Sequence, residues 1–215
     1  MIGARFVIPK HLTTMWPVKV QRQFDIARAA GNDALENVLH APYNKLLNTL
    51  FPADTDFTVV PNFQEINLPK SADYFVTFEI FLENRPVFVL GLKGERDFSA
   101  RSKRRLADDQ LRTRMGDLIG NALHPLSLSI SNLFIVDTCP LPVLHGASAF
   151  GTKLCFYSVT KAGLISPEYI TASPQYVTDT APVDRWNYDI LSAEGEAELR
   201  RIVQIITTQC AELPQ

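Results

Sequence analysis

The stretch that decides the fold is Asp73-Tyr-Phe-Val-Thr-Phe-Glu-Ile-Phe-Leu82, followed by Glu83-Asn-Arg-Pro86 and then Val87-Phe-Val-Leu-Gly-Leu-Lys93. β-Branched and aromatic residues fill both runs, and Asn84-Arg85-Pro86 between them supplies a turn. The pair therefore reads as a β-hairpin. The second run is apolar on both of its faces until Lys93, the pattern of a central strand covered on both sides. Working outward, Phe57-Thr-Val-Val60 precedes the hairpin as a further strand. Ser102 to Leu123 follows it as a helix whose apolar stripe takes in Ala107, Leu111, Met115, Leu118 and Ile119.

The flanks complete the outline. Val18 to Ala30 reads as a helix stopped by Gly31, and Asn32 or Asp33 can cap a second one, with a break near His40 because Pro42 interrupts its period. Residues 124–142 have no clear period, and Leu133–Val136 within them could form a strand. Val143–Phe150, a Gly151-Thr152 turn and Lys153–Val159 form a second hairpin, and Ile165–Thr171 can add a strand. Ser192 caps a final amphipathic helix with Leu199, Ile202, Val203, Ile206, Cys210 and Leu213 on one stripe. The 215 residues fit one mixed α/β domain, with a core over about 33–160 and a C-terminal extension over 160–215.

Composition excludes several classes. With 46% hydrophobic and 20% charged residues the chain is neither a disordered tail nor a small disulfide scaffold. Cys139, Cys155 and Cys210 show no C-x-x-C pairing and read as small buried hydrophobes in a reducing compartment. His11, His40, His124 and His145 are too far apart for zinc-ligand spacing. The start of the chain lacks the apolar run of a signal peptide, and no membrane-length apolar run follows. A soluble intracellular protein of cytoplasm or nucleus, without a membrane partner, is the expectation.

The segment from Asp73 to Arg114 carries the chemistry. An acid heads one strand, the neighbouring strand ends on Gly91-Leu92-Lys93, and the next helix carries Ala107-Asp-Asp-Gln110-Leu-Arg-Thr-Arg114. This arrangement resembles the PD-(D/E)XK nuclease superfamily, in particular a fungal branch with which Ala149-Phe-Gly-Thr-Lys-Leu-Cys-Phe-Tyr157 is also shared. The resemblance covers about residues 33–160. It implies a restriction-endonuclease-like core, a mixed central sheet flanked by helices in α-β-β-β-α-β order. It also implies catalytic positions at Asp73, Gly91, Lys93 and Gln110, and hydrolysis of nucleic-acid phosphodiester bonds, DNA or RNA.

Such chemistry uses Mg²⁺ or Mn²⁺ on paired carboxylates, with a lysine beside the activated water. The resemblance places the metal on Asp73 and a backbone carbonyl near Leu92, and Glu79 is a further candidate ligand from the hairpin register. Gly91, however, stands where the family has its acid, so attenuated or absent activity is the expectation. With the hairpin turning on 84–86, Glu79 falls directly across from Gly91, on one face with Thr77 and Lys93, and is the acid that can compensate. Glu95 shares Gly91's parity but falls beyond the strand end, and Glu36 matches an extra acid that many such nucleases carry. The alternative is a non-catalytic nucleic-acid-binding or protein-interaction module on the same fold.

Charge position supports the nucleic-acid reading. From Lys93 to Arg114 eight basic and four acidic residues give +4, leaving −6 for the rest of a chain whose net charge is −2. Arg101, Lys103, Arg104, Arg105, Arg112 and Arg114 are the candidate phosphate contacts.

Overall fold

The structure, a computed structural model, describes residues 16–31, 36–68, 71–120 and 138–214, with the backbone alone at 36, 63–68 and 71–75. Helix α1 (Val18–Ala29) ends where Gly31 takes φ +84°, and a 3₁₀ turn (Glu36–Leu39) leads into α2 (His40–Leu50). Pro42 lies in the first turn of α2, where a missing N–H costs no hydrogen bond, so the expected break near His40 takes the form of this 3₁₀-to-α junction. The proposed caps Asn32 and Asp33 lie outside the described residues, as do Leu133–Val136 and His124.

Three antiparallel strands follow: β1 (Phe57–Leu68), β2 (Ser71–Leu82) and β3 (Arg85–Lys93). Strand β1 runs eight residues beyond the expected Val60, through Pro61. At the sheet edge a proline leaves no ladder donor missing on a second side. A two-residue turn at Glu83–Asn84, with Glu83 at φ +55°, joins β2 to β3, and Pro86 lies inside β3 opposite Phe81. A register shift between Ile80 and Phe81 then absorbs one residue. Helix α3 (Arg101–Leu118) crosses over to β4 (Val143–Phe150), which pairs parallel to β3. The α-β-β-β-α-β order is therefore present.

Strand β5 (Lys153–Thr160) turns back antiparallel to β4, and the short strands β6 (Ile165–Ser166) and β7 (Tyr188–Asp189) pair with it. The expected strand over 165–171 stops at Ser166, because Pro167 has no N–H to continue the ladder. Helix α4 (Ala193–Ala211) is capped by Ser192, whose hydroxyl accepts from Gly195 N at 3.1 Å. The mixed seven-stranded sheet has β3 near its middle, and every β3 residue from Pro86 to Lys93 is buried.

The two faces are covered differently. Phe78, Ile80, Phe88, Leu90 and Leu92 lie on the face under α1 and α2, where Phe51 packs on Phe88 and His40 on Phe78. Helix α4 joins that side through Arg200, whose guanidinium lies 4.5 Å from the Trp16 ring centroid. The other face is roofed by α3 and by the connection 167–186. Arginines fix that connection to the helix: Arg104 donates to Ala181 O at 2.9 Å and to Asp179 at 2.5 Å, and Arg112 donates to Pro167 O at 2.7 Å.

Asp108 is the centre of this second layer. It is 1% exposed and accepts from Tyr157 Oη at 2.6 Å, from Arg112 Nε at 2.8 Å and from Arg185 at 2.8 Å. Replacing it leaves two nearly buried guanidiniums without their anion, which costs about 3–5 kcal/mol for a buried pair broken on one side. Asp108→Ala is expected to lower the unfolding free energy measured by urea denaturation by that amount, while Asp109→Ala, at a half-exposed neighbour, changes it little.

Candidate functional site

The ladders fix which proposed site residues meet. Thr77 pairs with Gly91 and Glu79 with Val89, and on the other side Gly91 pairs with Ser148. The Glu79-opposite-Gly91 pairing expected from the sequence is thus off by two residues, because the turn at 83–84 displaces the register by three and the shift at Ile80/Phe81 returns one. An even slip preserves the face, so Thr77, Glu79, Gly91 and Lys93 do share the side under α3. Ser148 is on it too, accepting from Trp186 Nε1 at 3.3 Å.

Glu79 is 2% exposed and fully engaged. Arg114 binds it in a bidentate fork, Nε to Oε1 at 2.7 Å and the second nitrogen to Oε2 at 2.8 Å. Thr77 Oγ1 donates to Oε1 at 3.2 Å and Asn62 Nδ2 at 3.4 Å. Burial opposes the charge on Arg114, but its hydrogen bonds to Glu79 and the carboxylate's charge outweigh burial and hold its pKa above the usual value. The guanidinium supplies the positive charge that a divalent cation would supply to this carboxylate.

The ladders also bear on the expected metal set. Asp73 pairs with Ile66 in the β1–β2 ladder, six residues from Glu79 on the same strand, a separation of about 20 Å at 3.3 Å per residue. One ion cannot bridge them. Leu92 is paired with Val76 on one side and Ala149 on the other, so its backbone groups lie among ladder partners in the sheet. Gly91 brings no side-chain donor atom. Asp73 and Glu79 therefore do not share one ion, and among the described residues no three His, Cys, Asp or Glu side chains gather as metal ligands. Glu36 lies in the 3₁₀ turn before α2, and Glu95 follows the strand end, as its spacing suggests.

Lys93 and Gln110 remain close to the expected place. Lys93 is 5% exposed at the end of β3 and is engaged with a partner. Helix α3 runs against β3, as a crossover between parallel strands requires. Arg114 reaches Glu79 at the level of Val89, so Gln110, one turn or about 6 Å earlier, lies near the level of Gly91, two strand residues or about 6.6 Å on. Both polar atoms of the Gln110 carboxamide are buried without a hydrogen-bond partner among the described residues.

The basic cluster is turned largely inward. Arg104 is 2% exposed and bound to Ala181, Phe98, Ser99 and Asp179, and Arg112 is held by Asp108 and Pro167 against the Tyr157 ring. With Arg114 on Glu79, three of the six candidate phosphate contacts are structural, because the buried carboxylates of this face need cations. Arg101 and Arg105 stay exposed, at 3.9 Å from Asp179 and 3.5 Å from Asp109, and Lys103 is half-buried and engaged. Sequence reasoning missed Tyr157, Ser148, Trp186 and Arg185 as partners of the site face; the only signal was that Asp108 falls on the apolar stripe of α3.

No family model, no curated protein and no solved structure matches this chain. In place of a relative, the structure defines a class: an α/β protein with a mixed sheet flanked by helices. No helix among the described residues is long and apolar enough to cross a membrane.

Two outcomes follow from the geometry. Arg114→Met strands the buried Glu79 charge and is expected to cost about 3 kcal/mol, with Glu79→Gln in the same chain recovering part of it in a double-mutant cycle by chemical denaturation. The thiols are inert by burial, which raises Cys139 and pushes Cys155 and Cys210 up to about 11. At pH 8 the native chain should therefore react slowly with a disulfide reagent, and all three thiols should titrate only in denaturant.

Proposed function

We propose that this chain is a nuclease-like module on a restriction-endonuclease-like core, in which metal-dependent cleavage of nucleic-acid phosphodiester bonds is lost and an interaction role remains. The observation that carries this reading is the fork of Arg114 on Glu79 beside Gly91: the acid position is empty of oxygen, and the one acid able to compensate is neutralised by a side chain. The α-β-β-β-α-β order, with α3 crossing between parallel β3 and β4, supports the choice of core. Nucleic acid is the favoured partner, through exposed Arg101 and Arg105 at the start of α3.

A second reading is residual Mg²⁺- or Mn²⁺-dependent hydrolysis. It is favoured by the Gln110 carboxamide, buried without a partner among the described residues near the level of Gly91, and by Asp73, whose position in β2 has the strand parity of Thr77.

One set of assays separates the readings. The chain is incubated with single-stranded and duplex DNA and RNA and Mg²⁺ or Mn²⁺, beside Lys93→Ala and Gly91→Glu. The module reading expects salt-sensitive retention of nucleic acid without cleavage, weakened by Arg101→Gln with Arg105→Gln. Metal-dependent cleavage that disappears in Lys93→Ala establishes the hydrolase instead. Absence of both binding and cleavage removes nucleic acid and leaves a protein partner.

A further inference from the structure

The connection 167–186 is fixed to the protein through its backbone and Asp179, yet it leaves apolar side chains in solvent. Arg112 and Arg185 donate to the carbonyls of Pro167 and Glu168 at 2.7 and 2.6 Å, and Arg104 holds Asp179 and Ala181. Between those anchors the chain closes on itself, Ser173 N donating to Thr178 Oγ1 at 3.1 Å and Thr178 Oγ1 to Tyr176 O at 3.4 Å. Four of the eight large hydrophobic side chains exposed among the described residues nonetheless lie here: Tyr169, Tyr176, Val177 and Val183. Tyr169 is 49% and Tyr176 76% exposed. Two rings held out from a restrained backbone are already positioned to meet a flat partner.

Both rings adjoin one stripe of α3. Arg101, Arg105 and Arg112 are spaced by four and seven residues, close to whole turns, and fall on one side of the helix. At one end the Arg112 guanidinium lies 5.8 Å from the Tyr169 ring centroid. At the other, Arg101 lies 3.9 Å from Asp179, and Tyr176 is three residues, at most about 10 Å of extended chain, before that aspartate. Asp179 already takes a 2.5 Å hydrogen bond from Arg104, which leaves the Arg101 side chain outside and 65% exposed. Arg105, 3.5 Å from Asp109, is 59% exposed.

Aspartates beside both exposed arginines limit what phosphates alone can gain here, and that decides against a duplex. A duplex turns its phosphates outward and keeps its bases stacked inside, so Tyr169 and Tyr176 would have no base face to meet. A single strand offers phosphates to the arginines and free base faces to the rings, each stacked base adding about 5- to 150-fold in affinity. The stripe from Arg101 to Arg112 is about 16.5 Å long at 1.5 Å per residue, the span of about five nucleotides at the 3.4 Å rise of a stacked strand.

We propose that the α3 stripe and the connection beside it form a binding strip for single-stranded nucleic acid, with bases stacking on Tyr169 and Tyr176 and phosphates on Arg101 and Arg105. This strip rests on the nucleic-acid reading of the two arginines above and adds the strand state of the partner.

The test is fluorescence anisotropy of the full chain with labelled 20-nucleotide oligo(dT), oligo(U) and the oligo(dT)·oligo(dA) duplex, in EDTA so that no cleavage consumes the probe. At low salt a single strand is expected to bind at least about tenfold more tightly than the duplex, and the tighter of the two single strands tells DNA from RNA. Tyr169→Ala and Tyr176→Ala should each weaken that binding about tenfold, while Tyr169→Phe and Tyr176→Phe retain it, because a phenyl ring still stacks. These side chains are exposed, and thermal midpoints equal to the parent's separate lost stacking from lost folding. Arg101→Gln with Arg105→Gln should weaken single strand and duplex alike. A duplex bound as tightly as a single strand, or alanine variants that bind unchanged while the arginine pair still matters, overturns the stacking strip and leaves the nucleic-acid reading standing. Binding of none of the probes overturns both.

Discussion

Helix α3 lies across the sheet with arginines turned into the protein, and the buried carboxylates of Asp108 and Glu79 make that arrangement tolerable. A guanidinium or a carboxylate taken out of water alone carries a penalty of several kcal/mol, and pairing with additional hydrogen bonds offsets it. Asp108 uses Tyr157, Arg112 and Arg185; Glu79 uses Arg114, Thr77 and Asn62. Arg104 extends the network to the 179–181 stretch, so the long connection after β6 is laid down on α3 by hydrogen bonds as much as by apolar contact. The roof of this face, and hence the environment of Gly91 and Lys93, depends on these pairs.

The same pairs redirect the functional reading. A basic run beside a nuclease-like hairpin invites a phosphate-binding interpretation, yet half of the candidate contacts neutralise internal acids instead. What stays outside is Arg101 and Arg105, each already near an aspartate. Any nucleic-acid affinity of this surface is expected to be modest and strongly salt-dependent, because those aspartates compete with phosphate.

Much of the architecture was legible from residue patterns. The two apolar runs around Asn84-Arg85-Pro86, the stripe of α3, the Gly151-Thr152 hairpin and the Ser192 cap all appear where their local chemistry places them. Even the face shared by Thr77, Glu79, Gly91 and Lys93 was accessible, because side chains alternate with period two and the register error was an even one. The length of β1 was not, since Pro61 and the polar residues after it carry no strand signal of their own and are held by pairing with β2.

The sequence by itself determined the order of elements and the inward face of each, since propensity, turn chemistry and periodicity act over a few residues. Only the tertiary structure decided that Glu79 meets Arg114 and not Asp73, and that Asp108 gathers partners from residues 112, 157 and 185. Those outcomes depend on a turn placed one residue earlier than its proline suggests, on a register shift at Ile80/Phe81 and on the crossing of α3 over β2 and β3. Ion pairing between residues 35 to 77 positions apart follows from geometry summed over the whole sheet, and no local pattern encodes it.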